Sequence, residues 1–154
     1  MTKKIVNRTI SAPRELVFKT IADIREFSKI IPGIIKIEIL SEQQVGVGTR
    51  FLETRVMNGR EAVVELEVTE YVENENIRIV SDTNGTIWDT VFSVSENPGS
   101  ENQNGIPTTE LNLVMDARTP KITAKVINFL IKGMIKKAIE SDMDCVKAHC
   151  EAHA

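Results

Sequence analysis

Glu53 and Arg55 are a carboxylate and a guanidinium two residues apart in a segment otherwise patterned as a strand. Residues i and i+2 of a strand share a face, so both side chains would enter the same space. Buried charges are costly unless they pair or meet a polar group. The two could orient a ligand's carboxylate, hydroxyl or carbonyl, or transfer a proton. The plainer alternative is that they lie at a cavity mouth, solvated or paired to each other. Trp88, the only tryptophan, is expected on the concave face beside Ser81 and Thr90. It could stack on a flat ligand or simply fill core, and its indole N–H calls for a partner. Cys145, His149 and His153 recur at helical spacing with Asp142 near them, a donor set that zinc accepts. However, His153 is the penultimate residue, where helices fray, and neither CxxC nor HExxH occurs, so no metal is expected. With both histidines at the very end, no Ser-His-Asp order arises. Gly46-Val47-Gly48 precedes a strand rather than a helix and reads as a turn.

The elements that must carry these residues follow from period and punctuation. Lys4 to Ile10 is a first strand. Pro13 opens a helix whose apolar face holds Leu16, Val17, Phe18, Ile21 and Ala22. Asp23-Ile24-Arg25-Glu26 resembles a capping box and starts a second short helix, stopped by Pro32-Gly33. Beyond it the period changes to two: Ile35, Ile37 and Ile39 alternate with Lys36 and Glu38, and Thr49 to Met57 follows. Asn58-Gly59 and Asn84-Gly85 are hairpin turns. They join Thr49–Met57 to Glu61–Val72, and Ile77–Asp82 to Thr86–Ser95. Asn97 to Pro107 reads as a polar loop, and Thr108 to Ala117 as the last strand. Thr119-Pro120 then begins a helix of some thirty residues, about 45 Å long at the usual rise. Counted at 100° per residue, its apolar stripe runs Ile127, Leu130, Ile131, Met134, Ala138, Ser141, Cys145, His149. Ile122, Val126 and Phe129 flank that stripe, which allows a loop contact, a ligand gate or a weak homodimer surface. Strand, two helices, six strands and one helix make a single α+β domain with an antiparallel sheet.

Two-residue turns also set register. The first hairpin pairs Arg55 with Ala62, Glu53 with Val64 and Phe51 with Leu66. Arg50–Glu67, Leu52–Glu65 and Val56–Glu61 are left on the charged, solvent side. The second pairs Ser81 with Trp88, Ile79 with Thr90 and Ile77 with Phe92. A slip of one residue would invert every assignment.

With 154 residues the chain is one domain by length, big enough for a sizeable core. A net charge of −3 and a pI near 5.5 argue against nucleic acid as partner. No apolar run is long enough for a signal peptide or a membrane span. Cys145 and Cys150 point about 140° apart on one helix, which excludes a disulfide between them. A cytoplasmic protein with free thiols is expected.

Ile10-Ser11-Ala12-Pro13-Arg14-Glu15-Leu16-Val17-Phe18 and Ala22-Asp23-Ile24-Arg25-Glu26-Phe27 resemble the opening of polyketide cyclase/dehydrase and lipid-transport proteins. So do Pro32-Gly33-Ile34, Val47-Gly48-Thr49-Arg50-Phe51, Val68-Thr69-Glu70-Tyr71 and the long terminal helix. That superfamily includes START domains and birch-pollen-type allergens. The resemblance implies a helix-grip fold: a curved seven-stranded antiparallel sheet around the C-terminal helix, two short helices at one end, and an apolar cavity between. It implies no cofactor and no universal catalytic motif. The expected ligand is a small hydrophobic molecule such as a lipid, an isoprenoid or an aromatic, held as by a carrier or sensor. The expected cavity lining on the first hairpin is Phe51, Glu53, Arg55, Val64 and Leu66. On later strands it is Ile79, Trp88, Thr90, Phe92, Leu111, Leu113 and Met115. On the helix it is Ile127, Leu130, Ile131, Met134 and Ala138. The alternative is a cyclase, dehydratase or isomerase with Glu53 as acid/base and Arg55 stabilising an enolate. A third reading is a protein-interaction module without a cavity.

Overall fold

The computed structural model describes residues 2–57, 59–83, 85–101, 103–118 and 122–154, without the side chains at 2, 98, 100 and 122–134. Ten elements follow one another: β1 (Thr2–Ile10), α1 (Arg14–Ala22), α2 (Ile24–Ile30), β2 (Ile34–Ile39) and β3 (Arg50–Met57), then β4 (Arg60–Val72), β5 (Asn76–Thr83), β6 (Thr86–Glu101), β7 (Pro107–Arg118) and α3 (Ile122–His153). The strands form one seven-stranded antiparallel sheet in the order β1-β7-β6-β5-β4-β3-β2. β2 to β7 are a continuous meander, and β1 reaches the far edge because α1 and α2 carry the chain across. This is the helix-grip arrangement of class α+β.

The registers are those the two turns dictate. Arg55 faces Ala62, Glu53 faces Val64 and Phe51 faces Leu66. In the second hairpin Ser81 faces Trp88, Ile79 faces Thr90 and Ile77 faces Phe92. Gly59 and Gly85 hold φ of 75° and 86°, the left-handed backbone that a tight hairpin turn requires and glycine supplies without strain. At the start of α2, Asp23 accepts from the Arg25 amide at 3.0 Å. The reciprocal half of a capping box is replaced, since the Asp23 N–H donates to the Lys19 carbonyl at 3.3 Å and Glu26 pairs with Lys29.

Three expectations are corrected. Ile35 does not share an inward face with Ile37 and Ile39, because a bulge between Ile34 and Lys36 shifts the alternation. Ile34 is buried instead and Ile35 is 53% exposed. The segment after Ser95 is not loop throughout: β6 continues to Glu101, which pairs with Pro107 across an irregularity. Backbone pairing there is indifferent to side-chain polarity. The third correction concerns α3, where the buried residues among those with described side chains are Ile139, Met143, Val146 and Cys150, while Ser141 is exposed and Cys145 only half-buried. Those four are centred roughly 130° around the helix, more than a third of a turn, from the stripe counted from Ile127. The Thr119-Pro120 start and the side chains of Ile122, Val126, Ile127, Phe129, Leu130, Ile131 and Met134 lie outside the described residues.

One part of the core lies where α1 and the last turns of α3 meet the sheet. Ile10, Val17, Leu111, Met143, Val146 and Cys150 are sealed from solvent there. Edge-to-face ring contacts join Phe18 to Tyr71 at 5.3 Å and Phe27 to Phe92 at 6.2 Å, tying α1 and α2 to the sheet. Toward the two hairpin tips the sheet carries smaller and polar inward residues, among them Ala62, Ser81 and Thr83, and the filling is incomplete.

Candidate ligand-binding site

Sheet curvature leaves a cavity of about 360 Å³ against α3, within the size range of small-molecule pockets. Each wall is set by strand alternation. β3 contributes Phe51, Glu53, Arg55 and Met57, and β4 contributes Ala62, Val64, Leu66 and Val68. β5 adds Ile77, Ile79, Ser81 and Thr83, β6 adds Trp88, Thr90 and Phe92, and β7 adds Leu113 and Met115. Ile135, Ala138, Ile139 and Asp142 form the α3 side, and Ile21, Ala22, Ile24 and Phe27 from α1 and α2 close one end.

Of the residues expected here from sequence, Phe51, Glu53, Arg55, Val64, Leu66, Ile79, Trp88, Thr90, Phe92, Leu113, Met115 and Ala138 lie on the wall. Leu111 does not, which is a correction. It stands opposite Val94 and Arg8, one strand repeat into the filled end, and is fully buried in the same cluster as Met143 and Val146. Ile127, Leu130, Ile131 and Met134 fall outside the described side chains.

The wall's charged groups converge. Arg55 Nε donates to Glu53 Oε1 at 3.0 Å, and Arg55 Nη1 donates to both Asp142 oxygens at 2.9 and 3.1 Å. All three side chains are less than 20% exposed (Arg55 17%, Glu53 14%, Asp142 13%). Burial works against the Arg55 charge, but the Asp142 and Glu53 carboxylates outweigh it and hold the guanidinium above its ordinary pKa. Asp142 goes the other way for a carboxylate. Burial, with Glu53 adding like-charge repulsion, pushes its pKa up against the pull of Arg55. The cluster sums to −1 when all three groups are ionised, and among the described lining residues no other side chain is charged.

Sequence reading placed Glu53 and Arg55 together and missed what Asp142 does with them, grouping it instead with Cys145, His149 and His153. A signal was present: Asp142 follows Ala138 by four and Ile139 by three, so it shares their face. The metal candidates are dispersed. His149 and His153 stack at 4.3 Å, with His153 Nδ1 2.8 Å from the His149 carbonyl oxygen. Among the described residues no group of three or more His, Cys, Asp or Glu could hold a metal ion. Cys145 and Cys150 are free. Burial raises the Cys145 thiol pKa, and Asp142 and Asp144 raise it further.

A second, neutral polar patch lies on β5 and β6. The Ser81 and Thr83 hydroxyls are 3.0 Å apart and bond to each other. Trp88 stands across the ladder from Ser81 and Thr90 across from Ile79. Most of the remaining wall is aliphatic or aromatic, so the site can desolvate an apolar body and present polar atoms at two defined places.

No curated protein matches the sequence. Several solved structures share the fold at low identity. TTHA0849 from Thermus thermophilus superposes with a TM-score of 0.76 at 17% identity over 99% of both chains. The Zhui aromatase/cyclase from a Streptomyces species gives 0.74 at 15%, covering 97% of this chain and 93% of that one. A START superfamily protein from Mycobacterium smegmatis gives 0.70 at 13% over 99% of both. Among the described residues no helix is long and apolar enough to cross a membrane. The family of polyketide cyclases/dehydrases and lipid-transport proteins matches residues 1–153, and the chain belongs to it.

Proposed function

We propose that this protein binds a small, predominantly apolar molecule between the sheet and α3, as a carrier or sensor. The observation that carries the reading is the cavity of about 360 Å³, whose wall is largely apolar while its charged groups gather in one place. Burial of a ligand's apolar surface is worth roughly 25 cal/mol per Å², so the wall supplies affinity and the polar groups supply orientation. The family description, which joins polyketide chemistry to lipid transport, is consistent with such a ligand. Native mass spectrometry and organic extraction of the purified protein are expected to release a co-purifying apolar species. Trp88 reports independently: it is the only tryptophan and lies on the wall, so ligand titration should change its emission. A panel of fatty acids, alcohols, amines, isoprenoids and polycyclic aromatics leaving that emission unchanged would remove the reading.

One observation favours a second reading, catalysis of cyclase, dehydratase or isomerase type. Asp142, its pKa raised by burial, and Glu53 are two largely buried carboxylates on one wall, a setting suited to proton transfer. The role of Arg55 in that scheme is weaker, because both carboxylates already occupy its guanidinium. Turnover abolished in Glu53→Gln with binding retained would establish the enzyme. Turnover at the wild-type rate would discard Glu53 as the base.

A further inference from the structure

The sequence invites the expectation that Arg55 meets an anionic group of the ligand, and the geometry opposes it. Two of its three nitrogens already donate to carboxylates on two elements, Glu53 on β3 and Asp142 on α3. A carboxylate entering beside it would add a third negative charge to one positive charge. Glu53, by contrast, has one oxygen engaged by Arg55, and its Oε2 accepts no hydrogen bond from the described residues. The described wall offers no second cation, since Lys136 and Lys137 on α3 are exposed and lie outside the lining. A partly dry site with an unbalanced negative charge is unfavourable unless a proton or a cation completes it.

We infer that the ligand is an apolar molecule ending in a basic amine, whose ammonium group donates to the free oxygen of Glu53 and brings the cluster to neutrality. The inference rests on the cavity being a ligand site. It goes beyond that reading in assigning the ligand a charge and excluding fatty acids and other carboxylates. An ammonium has three donors and no acceptor, which suits the acceptor-only oxygens of ionised Glu53 and Asp142. The aliphatic and aromatic wall takes the rest of the molecule. The polar atoms Ser81, Thr83 and Thr90 lie on the opposite hairpin and play no part in holding the charge.

The test is isothermal titration of the full chain with a matched set: decylamine, decanol, decanoate and methyl decanoate, each below its micellar concentration. The amine is expected to bind at least ten-fold more tightly than decanol, a difference of about 1.4 kcal/mol, and decanoate the most weakly of the four. Glu53→Gln should lower decylamine affinity at least ten-fold and leave decanol within about two-fold, so that the two become similar. Asp142→Asn serves the same purpose should Glu53→Gln not fold, and circular dichroism decides which variant is used. Decanol matching or exceeding decylamine, or decanoate binding as well as either, overturns the inference and leaves the binding reading in place. Failure of all four ligands to bind the wild-type chain overturns the inference, and the wider panel read by Trp88 emission then decides the binding reading.

Discussion

Replacing Arg55 with Met leaves Glu53 and Asp142 facing one space with no counter-charge. Breaking a buried ion pair by removing one partner costs about 3–5 kcal/mol. At 13–17% exposure these groups belong near the lower end. The sign with pH follows from linkage. The Asp142 carboxyl already sits above its ordinary value of 3.8 in the folded chain, and losing Arg55 raises it further. The native state then binds protons more readily than the unfolded one, so the variant gains stability as pH falls through the folded pKa toward the unfolded one. Urea denaturation of Arg55→Met at pH 7 and at about pH 4.5 should show the deficit shrinking on acidification. Asp89 on the outer face of β6 gives the opposite case. Arg78 Nε donates to it at 2.8 Å and Arg118 Nη1 at 3.2 Å. Its hydrogen bond to Arg78 is the largest influence and holds its pKa below 3.8. The stability it contributes is complete above that ordinary value and lost as pH falls through the depressed one. Asp89→Asn is therefore expected to be less stable than wild type at neutral pH, with the gap closing under strong acid.

The hairpins convert these residue types into a site, because a strand presents alternate side chains to one face and the turn decides which set. Gly59 has a φ of 75°, and a Cβ built on it meets no atom within 4 Å. Gly59→Ala thus tests backbone strain without a clash. It should cost about 1–2 kcal/mol, the left-handed penalty for a residue bearing a Cβ, read as a shift in urea midpoint at constant slope. The strand and turn segments were readable because an Asn-Gly pair between alternating runs leaves one register that buries the apolar face. The bulge at Ile34–Lys36 was not readable, since Ile34-Ile35-Lys36-Ile37 satisfies two phases equally well. The buried phase of α3 misled for a related reason. A helix apolar on more than one side has no unique stripe, and only the partner surface selects one. Ile139, Met143, Val146 and Cys150 are chosen by what β1, α1 and the sheet leave open to them.

Stability and occupancy are coupled through the void. A cavity of about 360 Å³ forgoes contacts that a filled core would make, and a ligand that restores them stabilises the folded chain by mass action. Saturation at 100 times the dissociation constant should add about 2.7 kcal/mol, visible as a rise in Tm with a bound member of the matched set. Ala138→Leu, on the cavity side of α3, places a larger apolar group in the same space. It is expected to raise the ligand-free Tm, an increment of about 0.5–2 kcal/mol for cavity filling, and to lower affinity for every ligand alike. A tighter-binding Ala138→Leu variant would mean the void is not where ligands sit. Composition, period and turn residues were enough for class, element order along the chain and both hairpin registers, because these depend on local backbone preference and on which faces are apolar. They also placed Glu53 beside Arg55, two positions apart on one strand. The partnership with Asp142, 87 residues away from Arg55, came only from the way α3 lies against the sheet. So did the cavity itself, whose volume depends on curvature and on helix rotation. Local sequence sets neither, since both arise from the packing of distant surfaces.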